Sequence, residues 1–370
     1  MFNISKKDLK KTDKILMLVV ISLICIGMLI LSSAVHPLGT GIKNQAFATL
    51  IGFGAMLFIF FIDFDLIKKT KWLIYFVIVS LLLATALFGY GAESTGADSW
   101  LKLGPISFQP SEVVKVLYIL FLGTYLDKHK ENIDTWKFLL KYLILAGIPV
   151  LLIMKQPDMG TAIVFVFIAS AMIFIAGISW KKILLIIGAI VIAAAVTGPI
   201  VWGMLQYHQK QRILNFIDPS RDTADTGYQM KQGYLAIGSG LLTGRGYMKG
   251  PFSQNQYIPE QHTDFIFPVA IEEFGFLGGA ILISLFLIML YRMIKIAMNG
   301  ADIFQTSVAI GICSYLFFHI FENIGMTLQI MPVTGIPLPF ISSGGTFQIL
   351  NLICIGLVLS ISSMRKPLDF

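Results

Sequence analysis

Apolar stretches of about 20 residues recur along this chain, and their recurrence limits what it can fold into. A helix needs roughly that length to cross the hydrocarbon of a bilayer. Within lipid, every backbone N–H and C=O must be satisfied inside the protein. Ten spans are read, over residues 15–35, 45–62, 72–90, 112–126, 138–154, 161–178, 183–202, 265–289, 303–327 and 346–364. The alternating pattern of a membrane barrel is absent. The chain is 56% hydrophobic and only 13% charged, against about 25% charged in a soluble domain. The fold class expected is an all-α integral membrane protein. Residues 1–370 read as one polytopic domain, with a large loop over 203–264 between the seventh and eighth spans.

The basic residues segregate. Lys6, Lys7, Lys10, Lys11, Lys14, Lys68, Lys69, Lys71, Lys128, Lys130, Lys137, Lys141, Lys181, Lys182, Arg292, Lys295, Arg365 and Lys366 fall on one side. The short loops of the other side hold only Lys43, Lys102 and Lys155. Short cytoplasmic loops are rich in Lys and Arg, so both termini are expected in the cytoplasm and the 203–264 loop outside. The net charge of +7 follows mostly from these lysines and does not point to nucleic acid. The first apolar run reads as a retained helix rather than a signal peptide, given its length and the spans that follow. Cys25, Cys313 and Cys354 lie in apolar runs and suggest no disulfide framework. No Walker loop or metal-spaced His/Cys cluster is present.

The polar features gather on the external side. Gln254 to Gly279 begins polar and ends as a span, with Asp264 at the seam and Glu272 and Glu273 inside the apolar run. Carboxylates at such depths are costly and default to functional candidates; equally, Asp264 suits the N-cap of the helix it precedes. The long loop carries Lys210, Arg212, Arg221, Lys231, Arg245 and Lys249, either solvated charge or the cradle of an anionic substrate. Its segment 228–238 has near-helical apolar spacing, and glycines follow it. Gln109-Pro110-Ser111 reads as a helix start. Glu112 and Lys115, three residues apart, share a face of the fourth span, as a buried pair or as cavity lining. Asp158 is read as the N-cap of the sixth span. Before the last span, three prolines precede Ser342-Ser343-Gly344-Gly345.

Several of these stretches together resemble one family. They are W-L-K-L-G-P-I-S-F-Q-P-S-E-x-x-K (100–115), Q-P-D-M-G-T (156–161), R-I-L-N-F-I-D-P (212–219), G-Y-Q-M-K-Q-G-Y-L-A-I-G-S-G (227–240), I-P-E-Q-H-T-D-F-I-F (258–267) and P-L-P-F-I-S-S-G-G (337–345). The chain resembles the SEDS family (shape, elongation, division and sporulation), the group of RodA and FtsW, and its short tails favour the RodA-like branch. The resemblance implies a peptidoglycan glycosyltransferase of the bacterial cytoplasmic membrane. It would polymerise lipid II onto a growing glycan strand at the outer leaflet, among membrane lipid, with a class B penicillin-binding protein as partner. It makes Asp264 the essential acid and places Glu112 and Lys115 in a central cavity. Further substrate contacts are expected at Trp100, Lys102, Arg212, Lys231, Arg245, Lys249, His262, Thr263, Ser342 and Ser343. Asp158 and Gln109 are expected in structural or cavity-lining roles. Ser99 and Ser107 stand where many members carry Arg, and Lys102 is the substitute this chain offers.

The chemistry agrees with that inventory. A lipid diphosphate leaves without needing a proton, so the reaction needs one base for the acceptor hydroxyl and cations for the departing charge. Paired glycosidase carboxylates are not required. Glu272 lies about 12 Å from Asp264 along a helix, too far to act with it. Asp264 is thus the expected base, and Arg212, Lys231, Arg245 and Lys249 compete for the diphosphate, the arginines first because they clamp phosphate bidentately. A Mg or Mn ion bridging the diphosphate would suit this chemistry, although no ligand set stands out. The rival readings are a lipid II flippase, using Glu112, Lys115 and Glu322 as a polar path, and a scaffold for the penicillin-binding protein.

Overall fold

A computed structural model describes residues 11–36, 40–91, 97–103, 106–186, 188, 198, 202–203, 207–218 and 226–364. The helices are α1 (Lys14–Ala34), α2 (Thr40–Phe60), α3 (Phe64–Lys69), α4 (Lys71–Phe88), α5 (Pro110–Lys128), α6 (Trp136–Met154), α7 (Met159–Ile175), α8 (Tyr207–Ile217), α9 (Thr226–Ser239), α10 (Pro251–Gln254), α11 (Ile266–Met298), α12 (Ile303–Thr327) and α13 (Gly345–Ser363). Seven of them are long and apolar enough to cross a membrane, and α7 is a shorter apolar helix. The fourth expected span is α5, whose residues from Pro110 to Leu126 are almost all buried. The seventh, 183–202, lies mostly outside the described residues, as do Lys6, Lys7, Lys10, Arg221, Arg365 and Lys366.

Burial sorts the helices. Most of α5, α12 and α13 faces other helices, and α13 packs along α2. Helices α2, α4 and α6 turn large side chains outward, among them Phe47, Leu50, Phe76, Phe88 and Leu140. In a bilayer these meet lipid tails at no cost. The fold is therefore an inside-out sorting around a core that tolerates charge because it is protein-lined.

The two ends differ. At the lysine-rich end, Lys68 bonds Asp127 at 2.8 Å and Asp302 at 2.6 Å, Arg292 bonds Asp13 at 2.6 Å, and Lys182 pairs with Asp134 at 3.0 Å. Asp13 also caps α1 through the N–H of Leu16. At the opposite end carboxylates bond hydroxyls and backbone N–H groups instead, Glu272 and Glu273 among them, beside amides such as Gln45 and Asn323. This grouping of loops by charge matches the segregation read from sequence.

Three features depart from the expectations. The 91–111 loop contains a small antiparallel hairpin, β1 (Leu101–Leu103) with β2 (Ile106–Phe108). Helix α11 runs nine residues past the expected end, to Met298. It is also broken at Gly275, where φ is +67° and ψ is −168°. A Cβ at Gly275 would stand 2.3 Å from the Gly244 nitrogen, so only glycine fits this position.

Candidate active site

The segment 258–265 is a tight turn built on one residue. Glu260 adopts φ +51°, and its carbonyl accepts the N–H groups of Thr263 (3.1 Å) and Phe265 (3.2 Å). Its carboxylate accepts the Thr263 hydroxyl at 2.9 Å. Gln261 points inward and donates to the carbonyls of Ala34 (2.8 Å) and Ser253 (3.1 Å). Phe265 is buried and anchors the far side. Between these anchors Asp264 is left half-buried, and His262 is exposed. The N-cap of α11 is Phe265, with no side-chain cap bond. Capping is therefore not the role of Asp264, which corrects one of its two sequence readings.

A second segment grips the turn from below. One Asn323 amide nitrogen donates to the carbonyls of Asp264 and Ile336, both at 2.8 Å. The Ser342 hydroxyl donates to the Thr263 carbonyl at 2.5 Å and accepts the Leu338 N–H at 2.8 Å. The Ser343 N–H donates to the His262 carbonyl at 2.8 Å. Gln45 holds the Ser342 carbonyl (3.3 Å) and the Gly344 N–H (3.0 Å). Ser342 was expected to offer its hydroxyl to substrate. It is buried and committed on both lone pair and proton, so it is a clamp on the Asp264 turn. Ser343 is half-buried beside it. Gly335, at φ +77°, passes so close that a Cβ there would lie 3.2 Å from Asp264 Oδ2.

No donor bonds the Asp264 carboxyl among the described residues. Its acidity is set by surroundings: burial pushes the carboxyl up from 3.8 to about 7, the nearby Glu260 charge adds to this, and Arg212 opposes it. Arg212, on α8, is thus the loop cation coupled to Asp264. Lys231 on α9, Arg245 and Lys249 are exposed.

Arg245 and Lys249 belong to a turn fastened to the break in α11. The N–H groups of Arg245 (2.9 Å) and Gly246 (3.0 Å) donate to the carbonyls of Glu272 and Glu273. In return the N–H groups of Phe276 (2.9 Å) and Leu277 (3.1 Å) donate to the carbonyls of Leu241 and Leu242. A break strands backbone groups that a continuous helix would satisfy, and one loop satisfies four of them. The two carboxylates next to the break hold the same loop. Glu272 accepts the N–H groups of Phe252 (2.7 Å) and Ser253 (2.9 Å), capping α10. Glu273 accepts the Ser33 hydroxyl and the Met248 N–H. These acids, read from sequence as functional candidates by their depth, are structural.

Glu112 and Lys115 are buried and paired at 2.7 Å. The ammonium also reaches His319 Nε2 at 3.1 Å and lies 5.0 Å above the Tyr315 ring. His319 Nδ1 meets the Pro337 carbonyl at 3.3 Å. A carbonyl only accepts, so Nδ1 carries the proton and Nε2 takes a bond from Lys115. The pair thus reaches, through His319, the loop that lies under Asp264. The second Glu112 oxygen is buried without a donor among the described residues. His319 and Asn323 were missed by sequence reading, being polar residues scattered in an apolar run. Gln109 donates to Asp158 at 3.2 Å and to Ser99 at 3.4 Å, while the other Asp158 oxygen caps α7 through Thr161. Trp100 bridges to Tyr90 at the base of the hairpin. Lys102 is exposed and stands directly opposite Ser107 in the strand register, so the two side chains share one face. Among the described residues no three His, Cys, Asp or Glu side chains cluster as a metal site would require.

The chain matches the cell cycle protein family of FtsW, RodA and SpoVE over residues 13–367. It is 38% identical to the peptidoglycan glycosyltransferase MrdB of Escherichia coli over 303 residues, 80% of each chain. It is 30% identical to the probable peptidoglycan glycosyltransferase FtsW of Geobacter sulfurreducens over 371 residues, 97% of each chain. Among solved structures it resembles a chain from a peptidoglycan synthase complex described as coordinating polymerization and crosslinking. That likeness has a TM-score of 0.81 at 29% identity, covering 95% of this chain and 97% of the other. It also resembles the rod shape determining protein RodA of Thermus thermophilus, with a TM-score of 0.71 at 26% identity, covering 96% and 97%.

Proposed function

Since this chain belongs to the FtsW, RodA and SpoVE family of cell cycle proteins and is a multi-pass peptidoglycan glycosyltransferase of the bacterial cytoplasmic membrane, we propose that it joins lipid II units with Asp264 as general base. The observation that carries this reading is the Asp264 carboxyl itself. It is half-buried at the mouth of α11, lacks a bonded donor among the described residues, and has its proton affinity lifted to about 7. A base works best when its pKa is near the working pH.

In this reading the acceptor sugar hydroxyl gives its proton to Asp264 as it attacks the donor sugar carbon. The bond to the lipid diphosphate breaks on the opposite face, with inversion. Arg212 and Arg245 are the first candidates for the departing charge, because arginine clamps phosphate bidentately; Lys231, Arg245 and Lys249 are exposed along the same loop. Lys102, on the hairpin, is a further candidate for phosphate. A divalent cation, where one takes part, would supply positive charge to the diphosphate. Glu260 is exposed beside Asp264, and one carboxylate with substrate phosphates suffices for such an ion.

The Lys-rich end is read as cytoplasmic, with ten spans and the Asp264 end outside. A class B penicillin-binding protein is the proposed partner, supported by the likeness to a synthase complex. The flippase reading loses support because Glu112, Lys115 and His319 are locked on one another rather than spread along a path. The test is strand assembly by the purified protein on lipid II. Rates like wild type in Asp264→Asn would end the assignment.

A further inference from the structure

A cleft at the lysine-rich end has no part in the reaction proposed above. It lies between α3, the start of α4 and the end of α5, and has a volume of about 460 Å³. Four lysines line it, Lys68, Lys69, Lys71 and Lys128, together with Trp72 and Asp127. Lys68 bonds one oxygen each of Asp127 and Asp302, and the three other lysines exceed the one negative charge that this cluster leaves over.

Lys71 is the anomaly. It is 6% exposed, and among the described residues no carboxylate pairs with it. Its ammonium group lies over the rings of Trp72 at 5.8 Å and Tyr125 at 5.9 Å. Its charged neighbour is another cation, Lys128. A buried ammonium group without a counter-ion is strongly disfavoured, and the charge of the exposed Lys128 nearby adds to the cost. The cleft therefore suits an anion that the described residues do not provide.

The position of the cleft says which anion. Trp72 is 55% exposed beside it, and tryptophans of membrane helices sit at headgroup level. Leu73 and Phe76 continue an exposed apolar face down α4, where an acyl chain would lie. Basic pockets between helices at this level suit phosphate headgroups, and lysine binds phosphate as a point charge. We propose that this cleft holds the phosphate of an anionic phospholipid, with Lys71 as the buried anchor and Lys69 and Lys128 at the mouth. One phosphodiester charge between Lys71 and Lys128 supplies the missing counter-ion, and the acyl chains run along Trp72 and Phe76.

The test uses the purified full-length chain in phosphatidylcholine nanodiscs, with and without phosphatidylglycerol, reading the thermal midpoint and lipid retention by native mass spectrometry. The wild type should gain in midpoint and retain phosphatidylglycerol, as should Lys43→Gln at the opposite end. Lys71→Met should lose the gain. The double variant Lys69→Gln/Lys128→Gln, at exposed positions, should bind with affinity reduced by roughly fivefold for each lysine removed. A full phosphatidylglycerol gain in Lys71→Met would overturn the proposal. Should Lys71→Met fail to fold, undiminished binding by the double variant would overturn it instead. The same gain from inorganic phosphate in pure phosphatidylcholine would assign the cleft to a free anion and overturn the lipid.

Discussion

Replacing Asp264 by Asn should destroy activity and strengthen the fold at the same time. Raising the carboxyl from 3.8 to about 7 means the folded chain holds that proton where the unfolded chain has released it. Stability therefore falls as pH rises from about 4 to about 7. At roughly 1.4 kcal/mol per pH unit, the penalty above pH 7 reaches about 4 kcal/mol. Asp264 keeps part of its surface in contact with solvent, which screens the charge and reduces the figure to ~2 kcal/mol. Asparagine has the same shape and no charge. At pH 8 the variant should unfold later than wild type, and at pH 4 the two should coincide. Strand assembly should fall by about 10² to 10⁴, the usual contribution of a positioned base. Thermal unfolding in detergent at both pH values and gel analysis of glycan products from lipid II check the two halves. A variant less stable than wild type at pH 8 would refute the electrostatic argument, even if it is inactive.

The pH dependence should follow the same carboxyl. Strand assembly by wild type should rise through pH 7, and Arg212→Gln, which removes the opposing cation, should move that rise to higher pH; Glu260→Gln should move it lower. A pH–rate profile under saturating lipid II reads both signs. Lys115→Met leaves Glu112 buried and unpaired, and should cost about 3–5 kcal/mol. The double variant Glu112→Gln/Lys115→Met should recover most of that loss in thermal unfolding. Gly275→Ala should sharply reduce the yield of folded protein on size exclusion, because its φ and ψ lie in a region essentially open only to glycine, at a cost of about 1–3 kcal/mol, before the contact with Gly244 is counted.

Helices were legible where hydropathy decides them. The runs read at 15–35, 138–154 and 303–327 announce their helices to within two residues at each end, and Asp158 announces its cap because Asx residues before an apolar run have few other local uses. Helix α9 was legible from apolar spacing in a polar loop. The break at Gly275 was not. In F-G-F-L-G-G three glycines stand together, and only the approach of the 241–246 backbone selects the one that bends. Glu272 and Ser342 misled for the same reason: a buried polar group looks functional until its partners are known, and those lie 19 and 79 residues away in sequence. Asp264 was legible as a candidate, but setting its capping role aside needed the turn at Glu260.

The discontinuity at Gly275 divides α11 into a short upper piece and a long lower one with different mechanical duties. The upper piece is continuous with the Asp264 turn and is laced to residues 241–254, so the Asp264 carboxyl and the Arg245–Lys249 turn share one scaffold. The lower piece is fastened to the same loop through the N–H groups of Phe276 and Leu277. The bend is therefore braced from both sides, and the long membrane helix keeps one fixed direction against the turn that carries Asp264.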